Sequence, residues 1–370
     1  MFGPTHYVPI LRWKRAEKDA LRYLKAEDRK RITPLIELPP TVFKARKKDG
    51  QEVEPPDPAQ VLEGEAKKLL EACGNSPFFL DLRYVTNTVQ RNGGSVHALE
   101  YLAEIARNYR LAPLPVTGLC RSQEYQLSVR NVLNKDRRGI CLRITPLEVL
   151  RDGFANDIDD FLKTLGLDPK SVHLLLDYEA NASARPDQQT ILGRIPDLHK
   201  WQTLILASGA FPPDLQSFQP GNTKIPRTDW ILWKDIVSQN GKRPLRKPAF
   251  SDYTIQYGLY KEPVEGSNPS ASIRYTLDEE WLIMRGEALR SRRSNPAEIR
   301  PGGEQWNAHA ELLCDDNQLF YGDTFSWADA FIRERSVNKQ KHGSPEIWLR
   351  AGINHHMTVV SRQIANLHVA

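Results

Sequence analysis

Eight short apolar runs, each followed by a polar segment, constrain the fold of this chain more than any other feature of its sequence. Most of the runs contain five to seven nearly unbroken apolar residues, which is typical of a parallel strand that is buried on both faces. The runs are YVPILRW (7–13), ITPLIEL (32–38), PFFLDL (77–82), LAPLPVTG (111–118), GICLRI (139–144), VHLLLDYE (172–179), WQTLILAS (201–208) and PAFSDYTI (248–255).

The segments between the runs have the spacing of amphipathic helices. One begins at Asp57, a capping residue followed by Pro58, and ends at Gly74; these are typical helix start and stop signals. Ser95 is expected to cap the next helix. The segment at 227–241 contains the strand-prone WILW, but its charges fall at helical spacing, so we predict a helix there.

Strand–helix alternation of this kind predicts βαβ units and a parallel sheet. Eight strands end by residue 255, which suits a (β/α)₈ barrel of about 250 residues. An open doubly wound sheet is the alternative, but it would carry a glycine-rich turn after its first strand, and ILRWKRAEK has none. The predicted fold class is therefore α/β, a TIM-like (β/α)₈ barrel with a C-terminal extension of helices and a hairpin.

We predict that the barrel spans residues 1–256 and the extension residues 257–370. In the extension, SIRYTLDEEWLIMRG predicts a hairpin with its turn near Asp278 and Glu279, and the breaker-rich segment at 286–305 predicts an exposed loop. The extension is expected to pack on the barrel and to supply its last helix. Its predicted helices cover 305–316, 326–337 and 344–367.

Composition narrows the function classes only slightly. The chain of 370 residues is 40% hydrophobic and 26% charged, with a net charge of +5, which is ordinary globular composition. Its four cysteines lack CxxC spacing, so we expect reduced thiols. No signal peptide or membrane-spanning run is apparent, and the prediction is a cytoplasmic protein without a membrane partner. The small positive net charge allows a nucleic-acid partner. The sequence does not indicate one, because the basic loop at 290–300 has no interleaved aromatic residues.

Charged residues at the ends of the predicted strands indicate where a functional site would form. Active sites of (β/α)₈ barrels lie at the C-terminal ends of the strands. The predicted catalytic candidates are Lys14, Asp81, Asp177 and Glu179. The predicted anion-binding candidates are Arg12, Arg83, Arg143, Ser251, Asp252 and Tyr253. Candidate oxygen ligands for a divalent cation, Mg²⁺ or Mn²⁺, are Glu37, Asp81 and Asp177. Arg121 also follows a strand but receives no role.

The alternative interpretation is that these charges pair with one another as a structural network around the rim of the barrel. No HExxH or GxSxG motif supports a specific chemistry. His355 and His356 are adjacent on a predicted helix, where they point about 100° apart, so they are poorly placed to share a metal.

Several short motifs place the chain beside a known family. YVPILRWKRAEKDAL followed by ITPLIEL, then FFLDLR, FSDYTI and INHHMTVV, resemble the beta protein family of satellite bacteriophages and prophages over essentially the whole chain. The resemblance implies one component of a phage-borne cassette in which the beta protein counteracts a co-encoded killer protein, and such cassettes are linked to anti-phage defence. It implies no catalytic residue.

Two hypotheses of different classes follow. In the first, the protein is an antitoxin-like defence or immunity component that restrains a co-encoded partner or senses infection through the polar barrel mouth. In the second, the protein is a metal-dependent hydrolase that acts on a phosphate-bearing substrate such as a nucleotide or phosphodiester.

Overall fold

The computed structural model describes residues 3, 5–45, 54–91, 94–180, 188–238, 246–262, 268–291 and 302–367. Within these ranges the strands, in chain order, are β1 (Tyr7–Leu11), β2 (Leu35–Glu37), β3 (Phe78–Asp81), β4 (Thr88–Arg91), β5 (Gly94–His97), β6 (Pro113–Thr117), β7 (Ile140–Ile144), β8 (Val172–Asp177), β9 (Thr203–Ala207), β10 (Gly221–Pro226), β11 (Ala249–Asp252), β12 (Ser270–Thr276) and β13 (Glu280–Ala288).

The α-helices of the same ranges follow most of the strands. They are α1 (Arg15–Arg22), α2 (Ala26–Arg29), α3 (Pro58–Cys73), α4 (Ala98–Asn108), α5 (Gln123–Asp136), α6 (Pro146–Leu150), α7 (Phe154–Leu165), α8 (Gln188–Arg194), α9 (Thr228–Ser238), α10 (Glu304–Asp315), α11 (Trp327–Val337) and α12 (Pro345–Asn366). Short 3₁₀ helices cover Pro40–Phe43 and Pro169–Ser171.

Eight parallel strands close into a barrel in the order β1, β2, β3, β6, β7, β8, β9 and β11, with β11 returning to β1. Each of the eight apolar runs of the sequence contains one of these strands, so the predicted TIM-like barrel is confirmed. Closure is seen directly in the register, where Val8 of β1 lies opposite Ser251 of β11. The strands are apolar on both faces because helices cover the outside and side chains fill the inside.

The barrel interior explains why charges collect at one end. Apolar side chains from the strands fill its middle, among them Leu35, Phe79, Cys141 and Leu175. Since alternate residues of a strand face the same side, the residue two positions further along also points inward. These next positions are Glu37, Asp81, Arg143 and Asp177. Tyr253 and Arg12 follow the same rule after β11 and β1. We call the region above the apolar interior the barrel mouth.

Several predicted helix signals appear in the structure. The Asp57 side chain accepts a hydrogen bond from the Ala59 N–H at 3.2 Å, and α3 ends at Gly74 with a φ of 57°. The strand-prone WILW lies in α9, so the prediction of a helix there is correct.

The predicted cap at Ser95 is wrong. Residues 94–97 form β5, which pairs with β4 in an antiparallel hairpin, with Val89 opposite Val96. The helix therefore begins later, at Ala98, and the Nδ1 atom of His97 accepts the Leu99 N–H at 3.1 Å. Burial of Val89 stabilises the hairpin and overrides the capping signal of the serine.

The C-terminal extension contains the predicted hairpin of β12 and β13, to which β10 adds a third strand that the sequence did not reveal. Its helices α10, α11 and α12 correspond to the three predicted segments. One face of the sheet packs with these helices around Trp306 and Trp348, whose rings stack 6.0 Å apart. Residues 292–301 of the predicted loop at 286–305 lie outside the described residues.

The last helix, α12, lies beside α1 on the outside of the barrel. Asn354 donates from Nδ2 to the Ala20 carbonyl at 2.9 Å, and Arg362 pairs with Asp28 at 2.9 Å. Met357 belongs to the same apolar core as the barrel strands and helices. The final helix thus packs on the outside of the barrel, while the predicted boundary at residue 256 and the predicted role of the extension in supplying the last barrel helix stay predictions.

No helix among the described residues is both long and apolar enough to cross a bilayer. All four cysteines are free thiols. Burial raises the pKa of the Cys73 thiol to about 12, so this side chain packs as a small apolar residue rather than a nucleophile.

Candidate functional site at the barrel mouth

Arg143, at the end of β7, lies at the centre of the barrel mouth. Its Nη1 atom donates to Glu37 Oε1 at 2.6 Å and to Asp81 Oδ2 at 2.9 Å. Its Nε and Nη2 atoms donate to Asp177 Oδ2 at 2.9 and 2.6 Å. Nη2 also lies 2.8 Å from the hydroxyl of Tyr253, which itself donates to Asp177 at 2.7 Å. One buried guanidinium therefore joins carboxylates from three strands, and charge-assisted bonds of this kind are the strong ones.

A second layer of charge surrounds this centre. Arg121 Nη2 donates to both carboxylate oxygens of Asp81, at 3.1 and 3.2 Å. Arg83 Nη2 donates to Glu179 Oε1 at 3.0 Å, and these two side chains are 20% and 26% exposed. The Glu179 main-chain N–H donates to Asp177 Oδ1 at 2.8 Å. The mouth is thus buried at its centre and open to solvent at its edge.

The charges of the network stabilise one another. Burial alone would raise the pKa of Asp81, but Arg121, Arg143 and Arg83 outweigh it and hold the pKa below its ordinary value. Burial would lower the pKa of Arg143, but the tyrosine and carboxylates around it raise that pKa well above the ordinary value. Burial raises the pKa of Tyr253, and Asp177 raises it further. At neutral pH the centre therefore holds an ionised Asp81, a charged Arg143 and a neutral phenol.

The three predicted metal ligands do not fit a divalent cation. Glu37, Asp81 and Asp177 all direct an oxygen to the guanidinium of Arg143, which occupies the position where a cation would bind. No group of three or more His, Cys, Asp or Glu side chains within the described ranges could hold a metal ion. We therefore derive no chemistry through Mg²⁺ or Mn²⁺ at this site.

Arg12 differs from the other arginines of the mouth because much of its hydrogen-bonding capacity is unused. Its side chain is 7% exposed, and its Nε and Nη2 atoms are buried with no hydrogen-bond partner among the described residues. The nearest carboxylate oxygen, Glu37 Oε2, is 3.7 Å from Nε and also lacks a hydrogen-bond partner there. Buried polar atoms of this kind are rare in native proteins and call for an explanation.

Three tyrosines border Arg12 and the neighbouring cations. The Arg12 guanidinium carbon lies 5.5 Å from the ring centroid of Tyr253 and 5.9 Å from that of Tyr260. Lys14 Nζ lies 5.7 Å from the Tyr260 ring. Tyr84 and Tyr260 stack with centroids 4.9 Å apart. Cations over aromatic faces are attracted to them, so this side of the mouth combines positive charge with planar apolar surface.

The structure brings most of the predicted site residues together and places the others elsewhere. The residues that meet in the mouth are Arg12, Glu37, Asp81, Arg83, Arg143, Asp177, Glu179 and Tyr253. Lys14 lies at its edge, half-buried at the start of α1, where burial lowers the pKa of its ammonium. Ser251 faces the interior, but its hydroxyl donates to the Val8 carbonyl at 2.6 Å.

Asp252 points away from the mouth. Its carboxylate accepts from Tyr7 at 2.5 Å and lies 2.8 Å from His356 Nε2, between the barrel wall and α12. Strand alternation explains the difference, because Asp252 is adjacent to inward-facing Ser251 and Tyr253 and must face the other side. The prediction grouped these consecutive residues, although only every second one can share a face.

The sequence interpretation left three mouth residues without a role. Arg121 lies in the loop after β6, four residues beyond the end of the strand at Thr117. Tyr84 follows Arg83, and Tyr260 lies beyond the last barrel strand. The sequence places Arg121 beyond a strand but assigns it no role, and Tyr260 lies too far from its strand to be singled out, since loops fold back over the mouth in ways that local spacing does not specify.

Comparison with known proteins agrees with the motifs of the sequence. No curated protein matches this chain. A family model described as Beta protein matches residues 7–362, a range that includes the barrel, the mouth residues and nearly all of α12. This match confirms the family indicated by the sequence motifs. The chain therefore belongs to the Beta protein family.

Proposed function

We propose that the protein is a phage-borne defence or immunity component whose barrel mouth recognises a small anionic ligand, and that recognition rather than hydrolysis is its activity. The defence setting rests on the implied role of the family in counteracting a co-encoded killer protein. The ligand class rests on the mouth itself. Occupancy of the mouth would then report infection or alter how the protein holds its partner.

We infer the class of ligand from the unused hydrogen-bonding capacity of Arg12. A buried guanidinium whose Nε and Nη2 atoms lack acceptors bears a desolvation cost that a bound oxyanion would offset. Nε and one Nη atom form the edge that binds phosphate or carboxylate in a bidentate manner. Glu37 Oε2 lacks a hydrogen-bond partner beside it, so the ligand would also supply a hydroxyl or N–H.

The tyrosines extend this description. Tyr253 and Tyr260 flank the Arg12 guanidinium, and Tyr84 stacks on Tyr260. A ligand held by Arg12 would lie beside aromatic rings, which suits a sugar phosphate or nucleotide more than a bare inorganic ion. Lys14 adds a second cation at the edge. The expected class is a phosphorylated, hydroxyl-bearing small molecule.

Binding fits the carboxylates better than hydrolysis does. General acid–base catalysis needs a carboxyl group whose pKa lies near the working pH, whereas the arginines lower the pKa of Asp81. Asp177 accepts from Arg143 and Tyr253. The metal-dependent hydrolase predicted as the alternative gains no support from the mouth, and a metal-dependent turnover of bis(p-nitrophenyl) phosphate that is lost in Asp81→Asn would contradict the binding proposal.

The direct test is isothermal titration calorimetry with inorganic phosphate, ribose 5-phosphate and AMP. We expect the wild type to bind ribose 5-phosphate or AMP more tightly than phosphate. Arg12→Gln should weaken that binding about tenfold or more, since a charge-assisted bond contributes roughly 1.5–3 kcal/mol. The control is Arg91→Gln, because Arg91 is 39% exposed and pairs with Glu104 on the outside of the barrel.

The proposal fails if the wild type binds none of the three probes, or if Arg12→Gln binds them as the wild type does. The proposed binding of a co-encoded partner protein is tested by co-purification with the product of the neighbouring gene. We expect the wild type to retain that protein, and we expect Arg12→Gln to stay folded but to lose protection in a phage plating assay. Consistent failure of the wild type to associate would remove the antitoxin-like role.

A further inference from the structure

A cavity lies apart from the barrel mouth, between the barrel and the C-terminal extension. Its volume is about 630 Å³, which is within the range of small-molecule sites. One wall is the loop after β9, at Pro213 and Leu215. The opposite wall is the side of the β12–β13 sheet that carries Arg274 and Arg285, and the start of α12 closes one end.

The two arginines share one face of the sheet. Ser272 pairs with Arg285 and Arg274 pairs with Ile283, so the arginines are diagonal neighbours on adjacent strands. Diagonal neighbours on one face are about 7–8 Å apart at their Cα atoms, within reach of long side chains. The buried residues Ile273 and Met284 of the same strands face the opposite side, where they pack with α10 and α12.

Neither arginine has an acidic partner among the described residues. Arg274 donates from Nη1 to the Ile255 carbonyl at 3.0 Å and lies over the ring of Phe211. The Nε atom of Arg285 is buried with no hydrogen-bond partner in the described ranges. The acid in the cavity wall, Asp214, accepts the Gln216 N–H at 2.9 Å and forms no ion pair with either arginine.

A buried guanidinium without an acidic partner is unfavourable in a folded protein. Burial imposes a desolvation cost that is normally offset by pairing with an anion. Burial lowers the pKa of Arg274 to about 10, as expected for a guanidinium without a compensating anion. The mouth shows the contrast, because Arg143 meets three carboxylates there.

We propose that this cavity binds a small organic anion, with a phosphate or carboxylate group between Arg274 and Arg285. Arginine forks match such oxyanions. The rest of the wall is mainly apolar, with Pro213, Leu215, Pro269, Pro345 and Leu349, so the body of the ligand is apolar. The site is separate from the mouth and does not depend on the function proposed for Arg12.

The test uses phenyl phosphate, an oxyanion with an apolar body, and inorganic phosphate as the comparison. Titrations are carried out in the Arg12→Gln background, which removes the anion group proposed for the mouth. We expect phenyl phosphate to bind there more tightly than inorganic phosphate. Adding Arg285→Gln should weaken binding about tenfold or more, Arg285→Lys should retain part of it, and the control Lys224→Gln, an exposed position on the same sheet, should change nothing.

A purely structural role for Arg285 predicts a different result. If the arginine holds the sheet, Arg285→Gln lowers the urea midpoint without ligand; if it serves a ligand, the midpoint stays the same or rises. The proposal is overturned if the Arg12→Gln protein binds neither probe, if Arg285→Gln leaves its binding unchanged, or if the ligand-free midpoint falls in Arg285→Gln. If the wild type and Arg12→Gln bind the probes equally, that result counts against the anion site proposed at Arg12 and not against the cavity. Failure of one proposal can therefore be distinguished from failure of the other.

Discussion

His356 Nε2 lies 2.8 Å from Asp252 Oδ2, and this contact joins the final helix to the last barrel strand. The other ring nitrogen of His356, Nδ1, is 3.0 Å from Thr276 Oγ1 and 3.4 Å from the indole N–H of Trp281. Because an indole only donates, Nδ1 accepts and Nε2 carries the proton. A neutral imidazole therefore donates to a buried carboxylate across the interface between barrel and extension.

We predict that His356→Ala destabilises the protein by about 3 kcal/mol, because it leaves the Asp252 carboxylate without this donor and opens a cavity. His356→Gln can donate a hydrogen bond and should lose less. Urea unfolding at pH 7 measures both. The control is His199→Ala, an exposed position, which should change stability by less than about 0.5 kcal/mol. A loss that small in His356→Ala would contradict this role.

Stability should fall as the pH drops below about 6.5. Burial lowers the pKa of His173 from 6.5 to about 4, so between these values the unfolded chain binds a proton that the native protein does not. The contribution of His173 to the free energy of unfolding is then present above about pH 6.5 and is lost as the pH falls towards 4. At pH 5 this residue should contribute a loss of about 2 kcal/mol relative to pH 7.

The measurement is urea unfolding at several values between pH 5 and pH 8. His173→Gln removes the titrating group, so the difference in stability between pH 7 and pH 5 should shrink by about 2 kcal/mol. Burial lowers the pKa of His6, His97, His309 and His356 as well. A residual slope is therefore expected, but an unchanged slope in His173→Gln would contradict the prediction.

Removing the cation at the centre of the mouth should be among the most damaging changes in the chain. Arg143→Met leaves Glu37, Asp81 and Asp177 close together without their shared partner, and breaking buried ion pairs costs about 3–5 kcal/mol. We expect a loss of about 4 kcal/mol or more in urea unfolding at pH 7. The loss should shrink at low pH, because Arg143 helps to hold the pKa of Asp81 below its ordinary value and the variant can protonate this carboxyl more easily.

A matched control for Arg143→Met is Arg91→Met, at an exposed ion pair with Glu104, where a change within about 0.5 kcal/mol is expected. Equal stability of the two variants would show that the network contributes little. Replacing Asp81 and Asp177 together by alanine is a poor test of catalysis for the same reason, since it strands the Arg143 guanidinium. Single Asn substitutions keep the shape and are preferable.

At the rim of the mouth, Gly258 lies so close to the backbone of Glu179 and Ala180 that there is no room for a side chain. A Cβ atom there would lie 2.6 Å from the Glu179 carbonyl carbon and oxygen and 2.7 Å from Ala180 N. Gly258→Ala should therefore push back the Glu179 loop and cost about 2 kcal/mol. The glycine control is Gly64→Ala within α3, where a Cβ meets nothing within 4 Å.

Gly64→Ala should raise stability by about 0.5–1 kcal/mol, because alanine is the better helix former. If the mouth holds the proposed anion, Gly258→Ala should also weaken ribose 5-phosphate binding, while Gly64→Ala leaves it unchanged. Equal stability of the two variants would mean that the Glu179 loop adjusts freely.

Many features of the fold are local and can be predicted from the sequence. The eight barrel strands, the capped start of α3 and the helical WILW segment follow from hydrophobic period and capping residues. Ser95 was misread because strand pairing with residues 88–91 outweighs a capping preference. The third strand β10 was missed because its partners lie more than fifty residues further along the chain, and a short polar strand gives no signal without them.

For the candidate site, the sequence by itself determined which positions end the strands and carry charge. The apolar runs stop near charged residues, and alternate residues of a strand face the same side. Only the tertiary structure decided what those charges do. Closing the barrel brought Arg143 between Glu37, Asp81 and Asp177, turned Asp252 outward to His356, and left Arg12 with unused donors. Pairing of this kind depends on distances between residues far apart in the chain, which the closure of the barrel sets and local spacing does not.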